Sequence, residues 1–267
     1  MVVNINYKTA EEISALRRSN QIVAQVLAEM RTLIRPGIRT KDLDAYAENR
    51  ARELGARPAF KGYRGFPASL CTSVNEVIIH GLPSERTLQE GDIVGLDFGV
   101  EVDGFYGDAA VTYPVGKVAP AAVKLIAAAE QGFFKGIEHL QEGKRISDVS
   151  HAIQVWVEAQ GFSVIREFVG HGIGRALHEE PQVPNFGPPG RGPRVKAGMT
   201  LAIEPMIAAG RPEVEVMNDG WTACTRDHSL AAHFEHTVAV TAYGLEILSL
   251  PIPTDAPGRR LEEKPHA

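Results

Sequence analysis

Two acidic residues, Asp97 and Asp108, lie on the two strands of a predicted β-hairpin in the segment 91–116. Apolar and polar residues alternate on both sides of the dipeptide Asp-Gly at 103–104, which favours a two-residue hairpin turn. Such a turn places Gly99 opposite Asp108, and Asp97 shares the face of Gly99 because strand side chains alternate. The two carboxylates are therefore predicted to be diagonal neighbours on one face of the hairpin.

Two carboxylates on one apolar strand face repel each other and resist the loss of water unless a cation lies between them. A divalent metal ion between Asp97 and Asp108 would compensate both charges. The pattern is equally compatible with a hairpin that has one wet face, on which both carboxylates are simply hydrated. The hairpin alone does not decide between these interpretations.

The second half of the chain supplies three further residues with metal-binding side chains. Glu204 lies in the apolar segment GMTLAIEPM, where the following proline favours an extended backbone. Glu235 is predicted at the head of a strand in FEHTVAVT. His171 is predicted to end a strand before a glycine-rich loop that leads back through His178, because neither a strand nor a helix suits that segment. Taken singly, each of the two glutamates is more simply explained as an exposed residue at a strand end.

Together, four carboxylates and one imidazole have the composition of a dinuclear metal site. Four negative charges balance two divalent cations, and oxygen-rich ligands with one nitrogen suit Mn, Fe, Co or Zn. Two such ions can share a water, lower its pKa and polarise a carbonyl group for attack. The predicted ligands are Asp97, Asp108, His171, Glu204 and Glu235.

An internal repeat indicates which elements position these residues. The segment 37–55 aligns with 143–161, and the segment 91–97 aligns with 198–204 at nearly the same offset. The second alignment superimposes the acidic residues that end the two apolar segments. Helices often end at glycine, so the first match alone could arise by chance. Both matches together predict a duplicated α+β unit, with helices outside antiparallel strands that line a cleft on a pseudo-twofold axis.

Helix signals agree with this organisation. Predicted helices run from a capping box at Thr9 to Met30, from about Thr40 to Leu54, from Pro120 to about Leu140, and from a cap at Ser147 to just before Gly161. We expect one catalytic domain at 1–250, with repeat halves at about 5–116 and 117–250. A flexible tail is predicted at 251–267, which is rich in proline and charge.

Composition limits the class of protein. The chain has 267 residues and can bury a large apolar core without covalent cross-links. A net charge of -5 and a pI of about 6.0 argue against a strongly basic nucleic-acid surface, although a local patch is compatible with that average. Two cysteines are too few for a disulfide framework, and no signal sequence or long apolar run occurs. We therefore expect a cytoplasmic protein without membrane contact or specific nucleic-acid binding.

The motifs resemble those of the type I methionine aminopeptidases, which have the pita-bread fold. The resemblance covers roughly residues 5–250 and rests on the ordered series VNEVIIHGLP, GDIVGLD, DGFYGD, GHGIGRALHEEPQV, GMTLAIEPM, DGWT and FEHTVAVT. It implies removal of the N-terminal methionine from nascent polypeptides with small second residues, through a dinuclear metal-bound hydroxide. We expect a monomer, and contact with the ribosome stays open.

The same resemblance implies roles for individual residues. Asp108 and Glu235 correspond to ligands that bridge the two ions, and Glu204 corresponds to a ligand that also transfers a proton. His178 resembles the residue that binds the peptide carbonyl oxygen as charge develops there. His80 resembles the histidine near the scissile amide nitrogen and the substrate amine. Without the resemblance, the simplest interpretation of both histidines is a satisfied loop or strand-end residue.

A pocket for the methionine side chain is also implied. Its residues correspond to Tyr63, Phe66, Cys71, Leu177 and Trp221, whose aromatic rings and sulfur suit a thioether, although each would also fit a plain core. Many relatives carry an aromatic residue at the position of Leu177 and a tyrosine at the position of Phe66. A somewhat differently shaped or less polar pocket is therefore expected.

Three other classes of protein fit the sequence less well. Proline-directed relatives such as aminopeptidase P and prolidase usually carry an additional N-terminal domain, for which the stretch before Asp97 leaves little room. Pita-bread proteins that act as binding modules have lost metal ligands, whereas all five are present here. The glycines at 170–174 are followed by acidic residues and a proline, whereas a phosphate site would require a helix N-terminus there.

Overall fold

The structure, a computed structural model, describes residues 4–251. Its helices are α1 (Ala10–Arg31), α2 (Thr40–Glu53), α3 (Pro120–Ile137) and α4 (Ile146–Ala159), and a 3₁₀ turn spans Tyr63–Gly65. Its strands are β1 (Arg57–Pro58), β2 (Leu70–Val74), β3 (Val77–Ile79), β4 (Ile93–Val102), β5 (Phe105–Pro114), β6 (Ser163–Val164), β7 (Gly170–Gly172), β8 (Glu179–Val183), β9 (Thr200–Ile203), β10 (Met206–Ala208), β11 (Val214–Val216), β12 (Ala223–Thr225), β13 (Ala231–Thr241) and β14 (Gly244–Ile247). Except for Pro251, the predicted tail lies outside the described residues.

Helix α1 begins at the predicted capping box. The backbone N–H of Glu12 donates to the hydroxyl oxygen of Thr9 at 3.3 Å, and the N–H of Thr9 donates to the Glu12 carboxylate at 3.1 Å. These bonds satisfy two N–H groups that a helix start otherwise leaves without a partner. The buried face of the helix includes Leu16, Val23 and Met30, as its apolar spacing predicts.

Helix α4 begins differently from the prediction, which placed the cap at Ser147. The N-cap residue is Arg145, whose backbone N–H donates to the carboxylate of Asp148 at 2.8 Å. The hydroxyl oxygen of Ser147 instead accepts from the backbone N–H of Arg191 at 2.6 Å. An arginine side chain offers no acceptor, so the acidic residue in the first turn stabilises this helix start.

A large antiparallel sheet forms the centre of the molecule. Within residues 4–251 its main path is β1–β4–β5–β13–β9–β7–β8, with β2 on β4 and with β10 and β14 on β13. Strands β11, β12 and β3 form a smaller sheet. Strand β13 pairs with both β5 and β9, so it connects the strands of the first and second parts of the chain.

The helices pack against this sheet and against each other. Helix α1 lies on β4, β5 and α2, whereas α3 lies on β13 and α4. Two large clusters of buried apolar side chains result, one including Leu43 and Phe98 and the other including Leu125, Ile153 and Val238. This is the α+β layering expected from the sequence, and the division into halves at 116 and 117 stays a prediction. In this part of the chain no helix is both long and apolar enough to cross a membrane.

Candidate metal centre

The hairpin of β4 and β5 has the predicted register and turn. Gly99 lies opposite Asp108, which makes Asp97 a diagonal neighbour of Asp108 on the same face. Asp103 and Gly104 have φ values of 52° and 79°, the positive values that a tight hairpin turn of this kind requires. Asp97 and Asp108 are only 8% and 4% exposed, which excludes the alternative of a wet hairpin face.

The second part of the chain brings three more candidate ligands to the same place. His171 lies in β7, Glu204 directly follows β9 instead of lying within a strand, and Glu235 lies inside β13 instead of at its head. Atom Nε2 of His171 is 3.6 Å from Oε1 of Glu204. Potential ligand atoms of Asp108, His171 and Glu235 all lie within 4.8 Å of one another. The strand pairing through β13 therefore places both sets of carboxylates in one cluster.

The carboxylates of this cluster are poorly compensated by the protein itself. Atoms Oδ1 of Asp97, Oδ1 of Asp108 and Oε1 of Glu235 have no hydrogen-bond partner among residues 4–251. Burial raises the pKa of Asp97 to about 7. Burial, followed by repulsion from neighbouring carboxylates, raises the pKa values of Asp108, Glu204 and Glu235 well above their usual range. These four side chains are therefore suited to bind divalent cations, whose positive charge would lower the raised carboxylate pKa values.

The surroundings of His171 favour its neutral form, which is the form that binds a metal ion. Its Nδ1 atom lies 2.9 Å from the carbonyl oxygen of Gly172. A carbonyl oxygen only accepts, so Nδ1 carries the hydrogen and the lone pair of Nε2 is left for a metal ion. Burial lowers the pKa of His171 to about 4, which keeps the imidazole in the form that metal binding requires.

Helix α1 and strand β13 hold the backbone at Asp108. The side-chain oxygen of Asn20 accepts from the N–H of Asp108 at 3.3 Å, and the hydroxyl of Thr237 donates to the carbonyl oxygen of Asp108 at 2.8 Å. The helix comes so close that a Cβ atom at Gly107 would lie 2.7 Å from the backbone of Asn20. Glycine is therefore required beside the aspartate, and the ligand position is rigid.

His233 is a buried member of the cluster that the sequence reasoning missed. Its Nε2 atom lies 3.6 Å from Oε2 of Glu204 and 4.0 Å from Oε2 of Glu235. Burial lowers the pKa of His233 to about 3, so the ring is neutral. The available signal was its position two residues before Glu235, because strand residues separated by two share a face.

His178 lies in the loop between β7 and β8, beside the cluster. Its ring centroid is 4.1 Å from that of His171, and its Nδ1 atom is 2.9 Å from the hydroxyl oxygen of Tyr63. Part of the His178 side chain is exposed to solvent, but loss of water around the rest of it, followed by the neighbouring His171 and the charge of Arg64, lowers its pKa to about 3. The ring is therefore neutral and can donate one hydrogen bond towards the cavity.

His80 follows β3 with a φ of 58°, a left-handed backbone conformation that is uncommon outside glycine. Its ring meets that of Phe168 edge-on, with 5.5 Å between the ring centroids. Burial lowers the pKa of His80. Like His178, it presents a neutral imidazole at the edge of the cluster.

One cavity connects the carboxylate cluster with the expected methionine pocket. It is lined by all of the residues predicted for the site, namely Tyr63, Phe66, Cys71, His80, Asp97, Asp108, His171, Leu177, His178, Glu204, Trp221 and Glu235. The rings of Phe66 and Trp221 meet edge-on at 5.2 Å. Phe60, Ile79 and Phe168 also line the cavity but were missed, because apolar pocket residues look like core residues in a sequence.

Comparisons with known proteins support a metallopeptidase site in this cavity. Residues 14–242 match the model of metallopeptidase family M24. Methionine aminopeptidase 1 of Bacillus subtilis is 48% identical over 91% of this chain and 98% of its own length. The methionine aminopeptidase of Clostridium perfringens is 51% identical over the same shares, 91% and 98%.

Solved structures give the same result. The crystal structure of methionine aminopeptidase from Thermotoga maritima superimposes with a TM-score of 0.91 at 46% identity, covering 92% of this chain and 100% of that one. Prolidase from Pyrococcus furiosus, at 21% identity and a TM-score of 0.74, shares the fold, and the match covers 91% of this chain and 65% of that one.

The chain therefore belongs to metallopeptidase family M24 and has the α+β pita-bread fold that its motifs implied. Within that family, it is one of the methionine aminopeptidases. Membership in a family of metallopeptidases, together with the buried acidic cluster, indicates that the cavity is a site for divalent metal.

Proposed function

We propose that this chain hydrolyses the peptide bond after an N-terminal methionine, in nascent polypeptides whose second residue is small. The observation that carries the proposal is one cavity, in which carboxylate oxygens without a hydrogen-bond partner among residues 4–251 lie beside a pocket lined by aromatic rings and sulfur. The acidic end suits divalent metal, and the apolar end suits a thioether. Kinship with methionine aminopeptidases over 91% of the chain supports the same activity.

In this proposal, two divalent ions, of Mn, Fe, Co or Zn, are held by Asp97, Asp108, His171, Glu204 and Glu235. Asp108 and Glu235 would correspond to the ligands that bind both ions, and His171 would offer Nε2. When bound, such ions supply an activated water and polarise the scissile carbonyl group. The four carboxylates would balance the charge of two divalent cations, and in three of them one oxygen has no hydrogen-bond partner among the described residues.

The remaining steps belong to side chains of the protein. The carboxylate of Glu204 takes up a proton from the attacking water and passes it to the departing amine nitrogen. His178 donates a hydrogen bond from Nε2 to the carbonyl oxygen, and this bond strengthens as negative charge develops there. His80 contacts the scissile amide nitrogen and the substrate amine.

The apolar end of the cavity binds the methionine side chain. Leu177 and Phe66 are 2% and 5% exposed, so a thioether that replaces water there gains apolar contact. Cys71, which lies opposite Asp97 in the strand pairing, brings this pocket next to the acidic cluster. We further propose that the enzyme acts as a monomer in the cytoplasm, on polypeptides that emerge from the ribosome.

The experiment that tests the proposal measures free methionine released from the peptide Met-Ala-Ser. The purified chain is loaded with Mn(II), Fe(II), Co(II) or Zn(II), and a chelator-treated sample is the control. Met-Leu-Ser tests the preference for a small second residue, and Ala-Pro-Ser tests proline-directed cleavage. We expect chelator-sensitive release from Met-Ala-Ser, at least tenfold faster than from Met-Leu-Ser.

Two other outcomes would contradict the proposal. Cleavage confined to Ala-Pro-Ser would assign the chain to the activity of prolidases, which share the fold. Absence of cleavage with every metal would favour a binding module that retains the cluster without turnover.

A further inference from the structure

Glu179 follows His178 directly and closes the loop that carries it. Its Oε1 atom accepts from the backbone N–H groups of Arg175 at 2.8 Å and Ala176 at 3.2 Å. Its Oε2 atom forms an ion pair with the ammonium group of Lys8. The side chains of Lys8 and Glu179 are only 5% and 6% exposed, so both charges are buried.

Lys8 is itself held from several directions. Its Nζ atom also donates to the carbonyl oxygen of Asn6 at 2.8 Å, and its backbone N–H donates to the carbonyl oxygen of Gly198 at 2.7 Å. The next residue, Thr9, is the cap of helix α1. The ion pair therefore ties the His178 loop to the start of the first helix, across most of the length of the chain.

Gly174 shows how closely the loop surrounds this pair. A Cβ atom at Gly174 would lie 2.5 Å from Oε1 of Glu179 and 2.5 Å from Cε of Lys8. The carbonyl oxygen of Gly174 accepts from the backbone N–H of Tyr106 at 2.9 Å, which fixes the loop against strand β5. The backbone at Gly174 therefore packs directly against the ion pair and leaves no room there for a side chain.

We propose that the Lys8–Glu179 ion pair positions His178 for the reaction. This inference rests on the proposed function, in which His178 donates a hydrogen bond to the carbonyl oxygen. Neither Lys8 nor Glu179 is among the described residues that line the cavity, so both act through the loop. A buried ion pair loses the hydration of two charges, and its best-supported benefit is a defined geometry rather than net stability.

Removal of either Lys8 or Glu179 should displace the loop that carries His178. Without Lys8, the carboxylate of Glu179 is buried without a counter-charge and turns towards water. That rotation releases the N–H groups of Arg175 and Ala176, which the carboxylate holds in place. His178 then loses its fixed distance from the carbonyl oxygen, and a displacement of about 1 Å is enough to lower a rate about a hundredfold.

The first test is Lys8→Met, which keeps an unbranched side chain and removes the charge. We expect kcat for Met-Ala-Ser to fall about 10- to 100-fold, with KM changed less than threefold and Mn(II) content unchanged. The matched control is Arg17→Met, which breaks the ion pair between Arg17 of α1 and Glu246 of β14. Like Lys8→Met, this control removes a contact between the N-terminal part of the chain and a strand distant in sequence. We expect its kcat to stay within twofold of the parent.

The decisive measurement is a double-mutant cycle with His178→Ala. If Lys8 acts through His178, adding Lys8→Met to His178→Ala should lower kcat less than twofold further. An equal loss in both backgrounds, or an unchanged kcat in folded Lys8→Met, would overturn the inference. If His178→Ala alone leaves kcat unchanged, the role proposed for His178 fails instead, and the two failures are thereby distinguished.

A second variant and a second readout make the test independent of folding yield and of metal loading. Glu179→Gln keeps the shape and one acceptor oxygen but removes the charge, and it should reproduce the loss of kcat at temperatures well below its Tm. In the metal-free protein, the ¹⁵N chemical shifts of the His178 side chain should change in Lys8→Met and remain unchanged in Arg17→Met. Unmoved resonances in Lys8→Met would also overturn the inference.

Discussion

The hydroxyl group of Tyr63 lies 2.9 Å from Nδ1 of His178, and the two rings stack with an interplanar angle of 15°. Because the pKa of His178 is lowered to about 3, its imidazole is neutral at pH 7 and carries a single hydrogen. The Tyr63 hydroxyl can donate to Nδ1 or accept from it, and only the donating arrangement leaves this hydrogen on Nε2. The role proposed for His178 requires the donating arrangement, in which Tyr63 holds the tautomer that can donate to a substrate carbonyl oxygen.

The first prediction concerns this hydrogen bond. We expect Tyr63→Phe, which keeps the ring and removes the hydroxyl, to lower kcat about tenfold while KM changes little. Tyr113→Phe is the matched control, because its hydroxyl lies 3.4 Å from the carbonyl oxygen of Leu27, away from the cavity. Steady-state release of methionine measures both parameters. Equal kcat values for the two variants would refute the role of the hydroxyl.

The second prediction concerns the metal ligands. Asp97→Asn keeps the shape of the side chain but removes one of the four buried negative charges, so we expect lower Mn(II) content and a loss of kcat of about a thousandfold. Elemental analysis of the dialysed protein and methionine release give the two readouts. Asp44→Asn, which changes a partly buried carboxylate outside the cavity, should keep full metal content. Normal turnover in folded Asp97→Asn would exclude it as a ligand.

The third prediction concerns the stability of the metal-free protein. In the folded state burial raises the pKa of Asp97 from an ordinary value of 3.8 to about 7 and raises the pKa values of Asp108, Glu204 and Glu235 well above their usual range. Buried histidines, whose pKa values are lowered, have the opposite effect only up to their ordinary pKa of 6.5, so near and above pH 7 the folded state binds more protons than the unfolded state. The free energy of unfolding therefore falls as the pH rises through this window. We expect Tm of the chelator-treated protein to be lower at pH 8 than at pH 6.

Divalent metal should remove this dependence, because bound cations compensate the ionised carboxylates. Addition of Mn(II) should therefore raise Tm more at pH 8 than at pH 6, as thermal unfolding can show. In the metal-free state, Asp97→Asn should flatten the decline between the two pH values. A metal-free Tm that rises towards pH 8 would contradict the assignment of uncompensated buried acids.

The fourth prediction concerns the apolar pocket. Leu177→Ala removes contacts worth about 2 kcal/mol, so we expect kcat/KM for Met-Ala-Ser to fall about 10- to 30-fold, mostly through KM. Leu125→Ala is the control, because this fully buried leucine belongs to the core cluster beneath α3. It should lower Tm with KM unchanged. A larger effect on KM from Leu125→Ala than from Leu177→Ala would show that Leu177 is ordinary core.

Local patterns were the most predictable features of this chain. The Asp-Gly turn at 103–104 specified the register that makes Asp97 and Asp108 neighbours, because turn geometry and strand alternation act over a few residues. The capping box at Thr9 likewise specified the start of α1. The predicted cap at Ser147 was wrong because its hydroxyl accepts from Arg191, a residue brought close only by the folded loop.

The sequence by itself determined which side chains could hold metal, which hairpin pairs two of them, and the family to which the chain belongs. These features depend on residue types, on short spacings and on the order of the motifs along the chain. Only the tertiary structure decided that β13 joins both sets of carboxylates, that His233 faces Glu204, and that Lys8 is buried against Glu179. Such contacts join residues far apart in the chain, and their formation depends on how the strands pair and the helices pack rather than on any local pattern.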